Sequence, residues 1–111
     1  MIVYKVRVTI KNKVEDEWFL WMATKHIPGV INTGHFVDYA FMKQLLNGEI
    51  GRDHATYEIQ YFCRTQADLD TYLSHNAEKL RKDYSLKYGN FTKEINRSQF
   101  EDVTEKMLYL V

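Results

Sequence analysis

Apolar side chains recur at every second position from Ile2 to Ile10, and from Val14 onward they recur at helical spacing. That change of period makes the beginning of the chain a strand followed by a helix. Ile2, Tyr4, Val6, Val8 and Ile10 share one face of the strand, and Lys5, Arg7 and Thr9 share the other. Val14, Trp18, Trp21, Met22 and Lys25 follow the helix, with Glu15, Asp16 and Glu17 in its first turn, where carboxylates complement the helix dipole. Pro28 disfavours helical geometry at Ile27, so the helix is expected to end near His26, leaving 29–34 as a loop or a single short turn.

The alternation then returns. Residues 36–46 form a long strand candidate with Phe, Val, Tyr and Met on both faces, and Asn47-Gly48 opens a polar loop. Residues 55–64 alternate cleanly, with Tyr57, Ile59 and Tyr61 on one side and Thr56, Glu58, Gln60 and Phe62 on the other. Thr65, three residues before Asp68, reads as a helix N-cap. Leu69, Tyr72, Leu73, Ala77, Leu80 and Tyr84 form one stripe of a long second helix that Gly89 is expected to terminate. Residues 91–97 are a weaker fourth strand. The division expected is a domain over 1–97 and a C-terminal extension over 98–111. That extension reads either as a helix, from the capping-box form of Ser98-Gln99-Phe100-Glu101, or as a strand.

The order βαββαβ is the ferredoxin-like split βαβ arrangement, an α+β fold. Right-handed crossovers place two helices on one face of a four-stranded antiparallel sheet, with the first and third strands central. The other face carries Lys5, Arg7, Thr9, Thr56, Glu58, Gln60 and Phe62, a mixed surface of the kind that packs against a second sheet. The expectation is a homodimer forming a dimeric α/β barrel, with Arg7, Glu58 and Phe62 in the interface.

Fifteen basic residues balance fifteen acidic ones, and no Lys/Arg cluster stands out, which argues against a nucleic-acid partner. The lone Cys63 excludes an internal disulfide and a cysteine-rich metal site. No apolar run reaches the roughly 20 residues that span a bilayer, and the start alternates where a signal peptide would be continuously apolar. A cytoplasmic protein without membrane, metal or cofactor is expected.

MIVY at the start, Trp18-x-x-Trp21-Met22, His26-Ile27-Pro28, Thr33-Gly34 and TYEIQY at 56–61 occur together in this order. Jointly these motifs resemble a family of small bacterial proteins catalogued as domain of unknown function number 4286, over about residues 1–95. The resemblance implies a ferredoxin-like fold of the dimeric α/β-barrel group and carries no established reaction. More distantly, His-x-Pro after the first helix is similar to a pattern in cofactor-free monooxygenase-like and EthD-like proteins. This chain continues it with Gly34-His35-Phe36, one residue longer.

The spacing sets His26 beside the apolar stripe, leaning toward the sheet. There it can serve as an acid/base group, or simply complement the helix C-terminus. Trp18, Met22, His26, Thr33 and Gln60 are the candidate ligand-binding set, with His26 the catalytic candidate. His35 and His54 are expected at the surface, as is His75, and His26 with His35 makes a poor metal site. Glu58 and Gln60 either line a polar pocket in a closed barrel or, with Arg7, fix strand register. Thr33-Gly34 reads as a turn with glycine at positive φ. Cys63 reads as a buried, inert thiol.

Three functional readings follow. The first is a homodimeric small-ligand-binding protein with a cleft between the first helix, the HIPGVINTG segment and the sheet. The second is a cofactor-free monooxygenase- or isomerase-like enzyme using His26 as acid/base, with Tyr or Gln60 for orientation. The third is a structural interaction module. Fold alone does not separate them.

Overall fold

The structure, a computed structural model, describes residues 1–45 and 50–110. Strand β1 (Ile2–Lys11) leads through a short 3-10 turn into α1 (Glu15–Trp21), which continues through a π-helical turn (Met22–His26) into α2 (Ile27–Ile31). Strand β2 (Asp38–Lys43), the short α3 (Ile50–Asp53) and β3 (His54–Cys63) follow. Helices α4 (Gln66–His75) and α5 (Ala77–Tyr88) then lead to β4 (Thr92–Glu101) and a 3-10 segment at Thr104–Tyr109.

The four strands form one antiparallel sheet in the order β2-β3-β1-β4, the ferredoxin-like topology expected from the order of elements. Tyr4, Val6 and Val8 stand opposite Tyr61, Ile59 and Tyr57, and these two rows meet the helices. Trp18, Met22, Ile27 and Val30 pack onto them from α1–α2, and Leu69, Tyr72, Ala77, Tyr84 and Tyr88 from α4–α5. Glu15 fastens the start of α1 to the sheet. It accepts a 2.6 Å hydrogen bond from the Tyr57 hydroxyl and pairs with Lys43 at 2.8 Å.

The first helix does not stop at His26. Ile27 keeps right-handed helical angles, and the chain remains helical through Ile31. The π turn supplies the reason. The Ile27 N–H bonds the Met22 carbonyl five residues back, so the ladder has already shifted before Pro28, whose missing donor falls in the first turn of α2. Within the turn, the Thr24 hydroxyl bonds the Leu20 carbonyl at 2.6 Å. The reversal comes later: Gly34 adopts φ 85°, as expected for Thr33-Gly34, and the Thr33 hydroxyl donates to the Val30 carbonyl at 2.7 Å.

Three further boundaries differ from the periodicity. β2 begins only at Asp38, because Phe36 is drawn under the sheet into a ring cluster with Tyr4, Tyr61 and Tyr72. The expected end of this strand at Leu46, and the Asn47-Gly48 loop, lie outside the described residues. Thr65 caps α4 by accepting from the Asp68 N–H at 3.1 Å, but the helix breaks at Asn76 and resumes as α5. Gly89 ends α5 with helical angles and no left-handed turn. The capping-box form at Ser98–Glu101 makes no helix: those residues extend β4, pairing with Lys5, Tyr4, Val3 and Ile2 of β1.

Candidate functional site

His26 ends the π turn with its ring against Trp21 on one side, stacked at 5.3 Å, and edge-on to Tyr84 at 5.7 Å. It faces a cavity of about 30 Å³ between the helices and the sheet. That volume holds one or two water-sized groups. Met22, Val30 and Leu80 form the helical wall, and Tyr4, Val6 and Ile59 belong to the sheet floor. Outside it lies a groove of about 630 Å³ lined by Trp21, Lys25, Asp83, Leu86 and Lys87. His26 and Leu80 line both spaces.

Burial dominates the electrostatics of His26, pushing its pKa down to about 4; Asp83 opposes this and Arg97 reinforces it. The imidazole is therefore neutral at pH 7. Among the described residues it makes no hydrogen bond, so either ring nitrogen is open to a ligand.

The polar groups around the cavity divide into committed and uncommitted ones. Tyr84 is committed: its oxygen accepts from the Trp18 indole at 3.0 Å and lies 2.8 Å from the Thr92 hydroxyl. Because the Thr92 hydroxyl donates to the Tyr88 carbonyl at 2.8 Å, the Tyr84 proton points to Thr92. Tyr4 accepts from Arg81 at 2.9 Å and keeps its own proton to give. Tyr61 and Tyr72 are buried, and among the described residues neither hydroxyl has a protein partner. Desolvation raises both pKa values, that of Tyr72 to about 12, so both remain donors. Arg81 and Arg97 complete the lining, and neither is in an ion pair among the described residues.

The sequence-predicted set is only partly brought together. Met22 and His26 line the cavity. Trp18 is fully buried behind Tyr84, with its N–H engaged, and does not line the space. Thr33 is held in the turn after α2. Gln60 lies on the opposite face of the sheet, donating to Glu58 at 2.8 Å. Arg7 reaches Glu58 at 3.8 Å on that same face, the cross-strand pairing weighed from the sequence. Phe62 is on this face too, beside Val3 and Asp38. His35 is half-buried and bonds the Asn76 side chain at 3.0 Å, and His54 is also half-buried, so both are less exposed than expected. His75 is exposed. Cys63 is buried with its thiol pKa raised by desolvation.

Arg81 and Arg97 were not singled out by the sequence reading. Both carried a signal: Arg81 falls four residues after Ala77 and three before Tyr84, on the buried stripe, and Arg97 alternates in phase with Ile95. Among the described residues no group of three His, Cys, Asp or Glu side chains is placed to hold a metal ion, and no helix is long and apolar enough to cross a membrane.

Solved structures share the fold at low identity. An ethyl tert-butyl ether D family protein of Bacillus halodurans superposes with a TM-score of 0.67 at 11% identity, over 92% of this chain and 99% of that one. HapK from Hahella chejuensis gives 0.64 at 12%, over 94% of each chain. A putative antibiotic biosynthesis monooxygenase from Nitrosomonas europaea gives 0.64 at 10%, over 93% of this chain and 99% of that one. No curated protein sequence matches this chain. The family model does match, over residues 1–102, ending within one residue of the end of β4. With its ferredoxin-like sheet and helix-covered cavity, this chain belongs to the domain-of-unknown-function family DUF4286.

Proposed function

We propose that this protein is a homodimer that binds a small molecule in the cleft beside His26. One observation carries the reading: a neutral histidine and two buried tyrosines line one cavity between helices and sheet, and among the described residues neither the imidazole nor either hydroxyl has a hydrogen-bond partner. Buried polar groups normally have partners, and a cluster without them at the edge of a groove is what a bound ligand would complete. The enzymatic reading is less well supported. A histidine base is ordinarily oriented by a hydrogen bond from a third group, and among the described residues His26 has ring contacts and no such bond.

The uncovered sheet face and the tail support the dimer. Met42 and Phe100 are exposed on that face, and Met107, Leu108, Tyr109 and Leu110 are each at least 65% exposed. A second copy stacked sheet to sheet covers these groups. A bacterial cytoplasmic setting fits the resemblance and the single buried cysteine.

Native mass spectrometry of protein purified gently from expressing cells tests the binding reading. The expected result is a small co-purifying mass on the wild-type dimer that is lost in a folded, dimeric His26→Ala variant. Retention of the same mass by that variant would place the ligand elsewhere, and an unfolded variant would make His26 a structural residue.

A further inference from the structure

The cavity's lining is one-sided in its chemistry. Arg81 enters from α5 and Arg97 from β4, while the Tyr61 and Tyr72 hydroxyls come from β3 and α4. All four are hydrogen-bond donors, two of them permanently charged, and among the described residues no carboxylate lines the inner space. Arg81 is fixed by its bond to the Tyr4 oxygen, and among the described residues most of its five N–H donors have no other partner. Two guanidinium groups brought to one small space without an acidic partner repel each other and gain from an anion between them.

The outer groove differs. Trp21, Leu80 and Leu86 give it an apolar surface, and the lining carboxylate Asp83 stands with Lys25 and Lys87. The inner cavity accepts a group the size of a carboxylate, and the groove has room for a ring system.

Resting on the ligand-binding reading above, we infer that the ligand is an amphipathic organic anion. Its carboxylate or enolate oxygen atoms sit among Arg81, Arg97, Tyr61 and Tyr72, and its apolar body lies past His26 along Trp21 and Leu80. The ion pairs and hydroxyl donors recognise the head, and the neutral imidazole, flanked by Trp21, accepts or donates at the junction.

The probe pair is 2-naphthoate and its neutral amide, 2-naphthamide, titrated into the full chain and followed by NMR on the His26 ring and the arginine side chains. Naphthoate is expected to shift these signals saturably and to bind at least about tenfold more tightly than the amide. Arg97→Gln and Arg81→Gln are each expected to weaken naphthoate by about tenfold to a hundredfold, the usual loss of a charge-assisted hydrogen bond, and to weaken the amide by less. Arg97 is exposed at the sheet edge, so its variant keeps the fold even if loss of the Arg81–Tyr4 bond disturbs α5. Equal binding of acid and amide, or naphthoate binding indifferent to Arg97→Gln, would overturn the anion site and leave the cleft standing. Shifts from neither compound would overturn both readings.

Discussion

The indole N–H of Trp18 donates a 3.0 Å hydrogen bond to the hydroxyl of Tyr84, joining the first helix to α5 behind the cleft. Tyr84 in turn bonds Thr92 at the start of β4, so three elements that frame His26 are tied through one hydroxyl. Trp18 has no exposed surface, and water cannot replace the acceptor.

Tyr84→Phe therefore strands a buried N–H. The expected loss is about 1–3 kcal/mol of unfolding free energy, the cost of an unsatisfied buried donor. Urea denaturation checks it; a loss below about 0.5 kcal/mol would show that the indole finds another partner.

Stability should also fall with acid through His26. The folded pKa is lowered to about 4 by burial, against about 6.5 in the unfolded chain. The unfolded state thus binds the proton first, so the contribution is complete above pH 6.5 and is lost as the pH falls from there toward 4. The shift corresponds to on the order of 3 kcal/mol. In urea melts at pH 7 and at pH 5, about as acidic as the comparison needs, His26→Gln should lose much of the difference shown by the wild type. An unchanged difference would assign the acid sensitivity to other groups.

Gly34 carries a backbone cost and no packing cost. Its φ is 85°, and among the described residues nothing lies within 4 Å of where a Cβ would sit. Gly34→Ala should destabilise by about 1–2 kcal/mol, and Gly34→Asn by less, since asparagine tolerates the left-handed region better. Equal effects in thermal melts would point to a side-chain clash instead.

Phe62 tests the dimer. It lies on the uncovered sheet face with the Arg7–Glu58 pair and Gln60. In light scattering at about tens of micromolar, where an ordinary obligate dimer stays assembled, the wild type should be dimeric and Phe62→Glu shifted to monomer. A wild-type monomer would contradict sheet-to-sheet pairing.

Much of the architecture was legible because β1, β3 and the Thr65 cap each obey a single local rule. Alternation decides which face Tyr57 and Glu58 take, and one hydroxyl starts α4. The first helix misled because two local rules competed. Pro28 signals a stop, and a π turn, with Met22 and Ile27 buried at its two ends, shifts the bond ladder so that the stop is bypassed. The site was half legible. Met22 and His26 share a helix and could be paired by spacing, whereas Arg81 and Arg97 meet only through the crossover that brings α5 beside β4. Gln60 was separated from His26 by the thickness of the sheet.

A crystal structure of the protein purified without added carboxylates tests the central claim most directly. The account predicts electron density for a small molecule running from the Arg81–Arg97 end of the cavity past His26 toward Trp21. An ordered cleft holding only water, with ligand density on the Gln60 face of the sheet instead, would contradict it.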